Sequence, residues 1–132
     1  MACSSSDDND AIIYEGDCDF ATLINPNLFE NASSAYFDFT NISIDGDCMQ
    51  ISFGANGCGA DTFDIRLIDS GVIMESFPPQ RRLRFVIQNT DIYTCPAYFE
   101  ESLSFDLTPI QVDEGVLMLT IEDYPEQVEY EF

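Results

Sequence analysis

The sequence contains no histidine, no lysine and no tryptophan, and its only cationic side chains are Arg66, Arg81, Arg82 and Arg84. Without histidine, the Ser-His-Asp and Cys-His arrangements of nucleophilic enzymes and the histidine-rich zinc sites are excluded. Carboxylate chemistry or a calcium site stays open, because both need only Asp and Glu. The four arginines stand against 25 acidic residues, giving a formal net charge of −21. Such a surface repels nucleic acid and anionic lipid, so neither is expected as a partner. No apolar run approaches the roughly 18–20 residues that cross a bilayer as a helix. No Cys-x-x-Cys spacing occurs either, which argues against zinc, and no metal or other cofactor is expected.

What the chain does have is aromatic mass and alternation. Its 132 residues suit one domain, and eleven Phe and six Tyr supply apolar area for a core without Trp. Residues 36–54 read as a β-hairpin around Asp45-Gly46-Asp47, where glycine takes the positive φ of a tight turn. In its second strand Met49, Ile51 and Phe53 alternate with Gln50 and Ser52, the pattern of a half-buried strand. In its first strand the apolar parity slips from Phe37 and Phe39 to Ile42 and Ile44, which predicts a bulge near Thr40-Asn41.

The same period of two recurs along the chain. Strands are predicted over residues 62–68, 72–77, 81–88, 98–107, 116–121 and 127–132, with Pro78-Pro79 ending the second of these. A short edge strand is predicted at Ala11-Ile12-Ile13-Tyr14, a turn at Asn25-Pro26-Asn27 and one helical turn over 28–32. The glycine-rich loop at residues 54–59 lacks the Gly-Lys-Ser/Thr and the following helix of a phosphate-binding loop, so it reads as a turn. The expected fold is all-β: an antiparallel, immunoglobulin-like β-sandwich of about seven or eight strands. It would occupy residues 12–132 behind a flexible tether at 1–11.

That leading segment carries Cys3-Ser4-Ser5-Ser6-Asp7-Asp8-Asn9-Asp10. A cysteine after a small residue and before a Ser/Asp-rich tract resembles the mature start of a bacterial lipoprotein. More narrowly, it is similar to the Cys-Ser-Ser-Asp-Asp tether of Bacteroidota surface lipoproteins. The resemblance implies a lipid on the Cys3 thiol, with two or three acyl chains contributing about 0.8 kcal/mol per buried CH₂. It implies an exported protein at the outer membrane or cell surface, touching the membrane only through that lipid. The charged and apolar signal regions do not precede Cys3, so Met1 reads as a start internal to a longer precursor. As it stands the chain is expected to be soluble and unlipidated. The body, through Cys18-Asp19-Phe20, Ile44-Asp45-Gly46-Asp47-Cys48, Gly57-Cys58-Gly59, Glu75-Ser76-Phe77-Pro78-Pro79-Gln80, Cys95 and Leu103-Ser104-Phe105-Asp106-Leu107, resembles a family of uncharacterised Flavobacteriia lipoproteins, a likeness that brings no biochemical activity with it.

Setting Cys3 aside, Cys18, Cys48, Cys58 and Cys95 make an even set in a chain read as exported, so two disulfides are expected. Cys48 and Cys58 flank one strand and lie too far apart to bond. If strands simply alternate up and down, Cys48 meets Cys95 and Cys18 meets Cys58. If residues 72–77 do not form a full strand, the parity flips to Cys58 with Cys95 and Cys18 with Cys48. The first pairing is marginally favoured by the count.

Arg82 and Arg84 project from one strand face and Arg66 stands on a neighbouring strand, outlining a candidate strip for an anionic, carboxylated or sulfated ligand. Cross-strand pairing with the protein's own acids explains the same residues without a ligand. Asp45-Gly46-Asp47 resembles a fragment of a calcium loop but lacks the remaining ligands, and turn chemistry explains it. Adjacent Glu100 and Glu101 point to opposite faces and cannot flank one glycosidic bond. The expected function is therefore a non-enzymatic surface binding or accessory module with a protein or glycan ligand. A carboxylate- or calcium-dependent glycan hydrolase and a structural cell-envelope protein are the alternatives.

Overall fold

The computed structural model describes residues 16–90 and 95–132. Cys3, the tether at 1–11 and the strand predicted at Ala11-Ile12-Ile13-Tyr14 lie outside the described residues.

The chain forms β1 (Phe20–Ala21), β2 (Leu23–Ile24), α1 (Pro26–Asn31), β3 (Phe37–Asp45), β4 (Cys48–Asn56), β5 (Phe63–Met74), β6 (Gln80–Asn89), β7 (Tyr98–Asp106), β8 (Val116–Ile121) and β9 (Val128–Glu131), with 3₁₀ turns at Ala60–Thr62 and Thr108–Ile110. One sheet runs β9-β8-β6-β5-β2 and the other β1-β7-β4-β3. The fold is the expected β-sandwich. The β3–β4, β4–β7, β5–β6 and β8–β9 pairs are antiparallel, while β1–β7, β2–β5 and β6–β8 are parallel.

Alternation places the core between the sheets. Met49, Ile51, Phe53 and Ala55 of β4 face Leu83, Phe85 and Ile87 of β6, joined by Leu117, Leu119 and Ile121 of β8 and by Phe105 and Tyr130. Phe85 sits at the centre of an aromatic cluster, edge-on to Phe37, Phe53 and Phe105 at centroid distances of 5.1, 5.1 and 5.8 Å. Such aromatic pairs add about 0.5–1.5 kcal/mol each beyond the area they bury. The predicted bulge is present: Phe39 pairs with Phe53 and Asn41 with Ser52, so Thr40 is the extra residue and the inward parity changes there.

The expectation of a separate strand over 72–77 is corrected. β5 continues through Met74, its register against β6 shifting between Asp69 and Ile73. At the slip Asp69 is buried, and its carboxylate accepts Arg81 Nε at 2.6 Å, Arg81 Nη2 at 3.1 Å and the Gly71 amide at 2.7 Å. Both partners of this ion pair are buried.

With 72–77 no longer a strand of its own, the parity of the cysteines flips. Cys18 bonds Cys48 (Cα–Cα 5.6 Å) and Cys58 bonds Cys95 (Cα–Cα 5.0 Å), the second of the two pairings weighed from sequence.

Helix α1 follows from Asn25, whose side-chain oxygen accepts the Leu28 amide at 3.0 Å, and from Pro26 at the first helical position, where a missing N–H costs nothing. Its Phe29 packs on Ile68 and Val86, the outward face of the larger sheet.

A cleft between two strand edges

The three arginines singled out from sequence share that outward face. Arg66 pairs in register with Val86, and Arg84 with Ile68. Each has a neighbour within the chain. Arg66 Nη2 meets Asp64 at 2.9 Å, the Arg82 guanidinium lies 5.3 Å from the Phe29 ring centroid, and Arg84 Nη1 donates to the Phe29 carbonyl at 3.1 Å. Helix α1 thus stands over the Arg82 and Arg84 part of the strip. Arg66 lies beyond it, half-exposed.

Arg66 lines a cleft of about 820 Å³. The cleft opens where the two sheets part. β2 covers β5 only at Ile68 and Asp69, and β1 covers β7 only at Phe105 and Asp106, with Asp19 extending the contact to Ser104. Among the described residues, β5 over 63–67 and β7 over 98–103 have no strand neighbour on this side. Two sheet edges therefore face the same opening. The chain crosses from one sheet to the other between Ala21 and Leu23, and Thr22 at the crossing is buried with its hydroxyl unpartnered among the described residues.

The walls are apolar, from Phe20, Leu23, Ala60, Phe63, Ile65 and Leu103. Asp61, Asp64, Arg66 and Glu101 add charge. That both Ile65 and Arg66, neighbours pointing to opposite faces of β5, line the same cleft follows from the uncovered edge, around which the cleft wraps. The run from Phe63 to Ile68 spans roughly 16 Å at about 3.3 Å per residue.

Sequence reasoning located Arg66 but missed the cleft. One signal was present: Phe99, Glu101, Leu103 and Phe105 share the inward face of β7, and Glu101 is an acid in that apolar register. A charge at an inward position of a strand marks a place where the core is open to water or to a ligand. At the far end of the molecule, Asp47 of the hairpin turn does not stand in a metal cluster; among the described residues no group of acids is arranged to hold a metal. Asp47 instead accepts the Tyr130 hydroxyl at 2.6 Å, and Gln111 Nε2 donates to the Tyr130 oxygen at 3.0 Å.

No family model matches the sequence, and no curated protein is similar to it. Two solved structures are similar in fold. One is a protein of unknown function, DUF1344, from Bacteroides vulgatus, with a TM-score of 0.53 and 15% identity over 86% of this chain and 56% of its own. The other is a NigD-like immunity protein from Bacteroides caccae, with a TM-score of 0.56 and 9% identity over 83% of this chain and 58% of its own. The chain thus spans under two thirds of the length of either. At these identities the likeness is one of fold.

Proposed function

We propose that the chain is a non-catalytic binding module, held at the outer surface of a bacterial cell by a lipid on Cys3, that takes an extended segment of a cationic partner protein along the cleft between β5 and β7. The observation that carries the reading is the apolar cleft bounded by two uncovered strand edges. An extended peptide laid on such an edge gains main-chain hydrogen bonds for affinity and places alternate side chains in the apolar walls for specificity. The acids at Asp61 and Glu101 and the net charge of −21 favour a basic segment and speed its encounter. A fold shared with Bacteroides proteins, one of unknown function and one an immunity-like protein, is compatible with an accessory role and with a Bacteroidota lipoprotein. The glycan-hydrolase alternative finds less support, since Asp64 is already tied to Arg66 and the walls are apolar rather than built for sugar hydroxyls.

Amide hydrogen exchange with an acetylated, amidated (Lys-Val)₄ peptide tests the docking. Slowed exchange over residues 63–67 or 98–103, absent with the (Glu-Val)₄ peptide and lost in Ala60→Arg, is expected. Unchanged exchange at both edges with the basic peptide would overturn it. The anchor is tested separately by palmitate labelling of the precursor in its native host, where Cys3→Ser is expected to lose all label.

A further inference from the structure

The opposite side of the sandwich holds a second cleft, of about 890 Å³, between the start of β3 and the turn joining β8 to β9. Its character differs from the first. Tyr36, Phe39 and Tyr124 give it aromatic surfaces, with Phe39 and Tyr124 edge-to-face at 5.5 Å and Tyr36 largely exposed. The Tyr36 hydroxyl donates to Asp38 at 2.6 Å, which fixes ring and carboxylate side by side. Carboxylates also line it from the turn, at Glu122, Asp123 and Glu126. Among the described residues Arg84 is the lone cation of the lining, and its Nη1 is held by the Phe29 carbonyl.

We propose that this second cleft is a binding site for an alkylammonium group, a quaternary or primary amine carried on a small ligand. The faces of aromatic rings present negative charge to a cation. Carboxylates beside them complete its neutralisation, and four acids outnumber the one arginine. An anionic ligand is repelled by the same lining, and a neutral one gains only the apolar part of the contact. The rigid placement comes from the sandwich: Phe37, next to Tyr36, packs edge-on against Phe85 at 5.1 Å, and the Glu122 amide bonds the Leu83 carbonyl at 2.9 Å, so both lips of the cleft are tied to β6. This site is separate from the edge cleft, and its failure would leave that reading untouched.

The test is titration of the full chain with tetramethylammonium chloride at constant ionic strength, followed by calorimetry and by the ring-proton shifts of Tyr36 and Tyr124. Neopentyl alcohol, of similar shape without the charge, serves as control. The expected result is saturable binding with shifts at both rings, at least about fivefold tighter than the alcohol, and weakened about two- to fivefold in Tyr36→Ala and in Asp38→Asn. Tyr124→Phe should keep the affinity while Tyr124→Ala loses it. Equal affinity for the alcohol, shifts spread over the whole surface, or binding unchanged in every variant would overturn the proposal. Should Tyr124→Ala fail to fold, the ring shifts of the unaltered chain and Asp38→Asn decide.

Discussion

Tyr130 of the closing strand donates its phenolic proton to Asp47 of the first hairpin turn at 2.6 Å, joining residues 83 apart in sequence. The ring is buried in the core while the carboxylate stands at the surface, so the pair ties β9 to the β3–β4 turn. Tyr130→Phe keeps the ring and removes the bond. A hydrogen bond to a charged acceptor contributes about 1.5–3 kcal/mol, and the exposure of Asp47 favours the lower end. Urea unfolding should show the midpoint falling with the slope unchanged.

The same bond sets a dependence on pH. Burial, and then the bond to Asp47, push the Tyr130 phenol from 10.0 up to about 12. The folded state therefore holds this proton more tightly than the unfolded chain. Its contribution to stability is complete below pH 10 and is lost as pH rises through about 12. Thermal melts between those limits should show a steeper fall for the native chain than for Tyr130→Phe; parallel curves would contradict the assignment.

Asp69 and Arg81 form the buried ion pair at the slip in β5. Arg81→Met leaves a buried carboxylate whose remaining bond is the Gly71 amide, and the expected loss is about 3–5 kcal/mol. The double variant with Asp69→Leu should lose clearly less than the sum of the two single changes. An additive cycle would show that the pair is not coupled.

Phe77 is 97% exposed at the turn between β5 and β6. Replacing it by serine removes an aromatic that touches little of the core, so the unfolding free energy measured in urea is expected to stay within the small range of surface changes, about ±0.5 kcal/mol.

Peptide mapping without reductant is expected to recover Cys18 joined to Cys48 and Cys58 joined to Cys95. Cys58→Ser should cost roughly 2–4 kcal/mol, since the bridge joins residues 37 apart in sequence. Recovery of Cys48 joined to Cys95 would return the question to the arrangement in which 72–77 is a strand.

These cases show how far the pattern of residues reaches. Met49, Ile51 and Phe53 alternate cleanly because one face of β4 is buried along its length, and the parity slip between Phe39 and Ile42 marks a bulge because inward positions must stay apolar. Val72, Ile73 and Met74 misled for the opposite reason: they are apolar yet exposed, so their pattern carries no information about the core. Nothing in the sequence marks Asp69 and Arg81 as buried, because only pairing across 12 residues makes either tolerable inside. The parallel contacts of β1 and β2, two residues each, are too short to have a period at all. Of the candidate strip, the common face of Arg66, Arg82 and Arg84 was legible from strand parity, while the helix lying over two of them depends on tertiary packing. The cleft beside Arg66 comes from missing neighbours along an edge, and the one mark it leaves in the sequence is Glu101, an acid at an inward position of β7.

The bond between Cys18 and Cys48 also decides how the domain carries a mechanical load. Tension entering from the residues ahead of Cys18 and leaving through the C-terminal end passes through sulfur to Cys48 and so into β4, in the interior of its sheet. The intervening 19–47, with β1, β2, α1 and β3, hangs in a covalent bypass that bears none of the pull. The two shortest strands, which frame the edge cleft, are therefore shielded from being peeled away when the domain is dragged by its leading end.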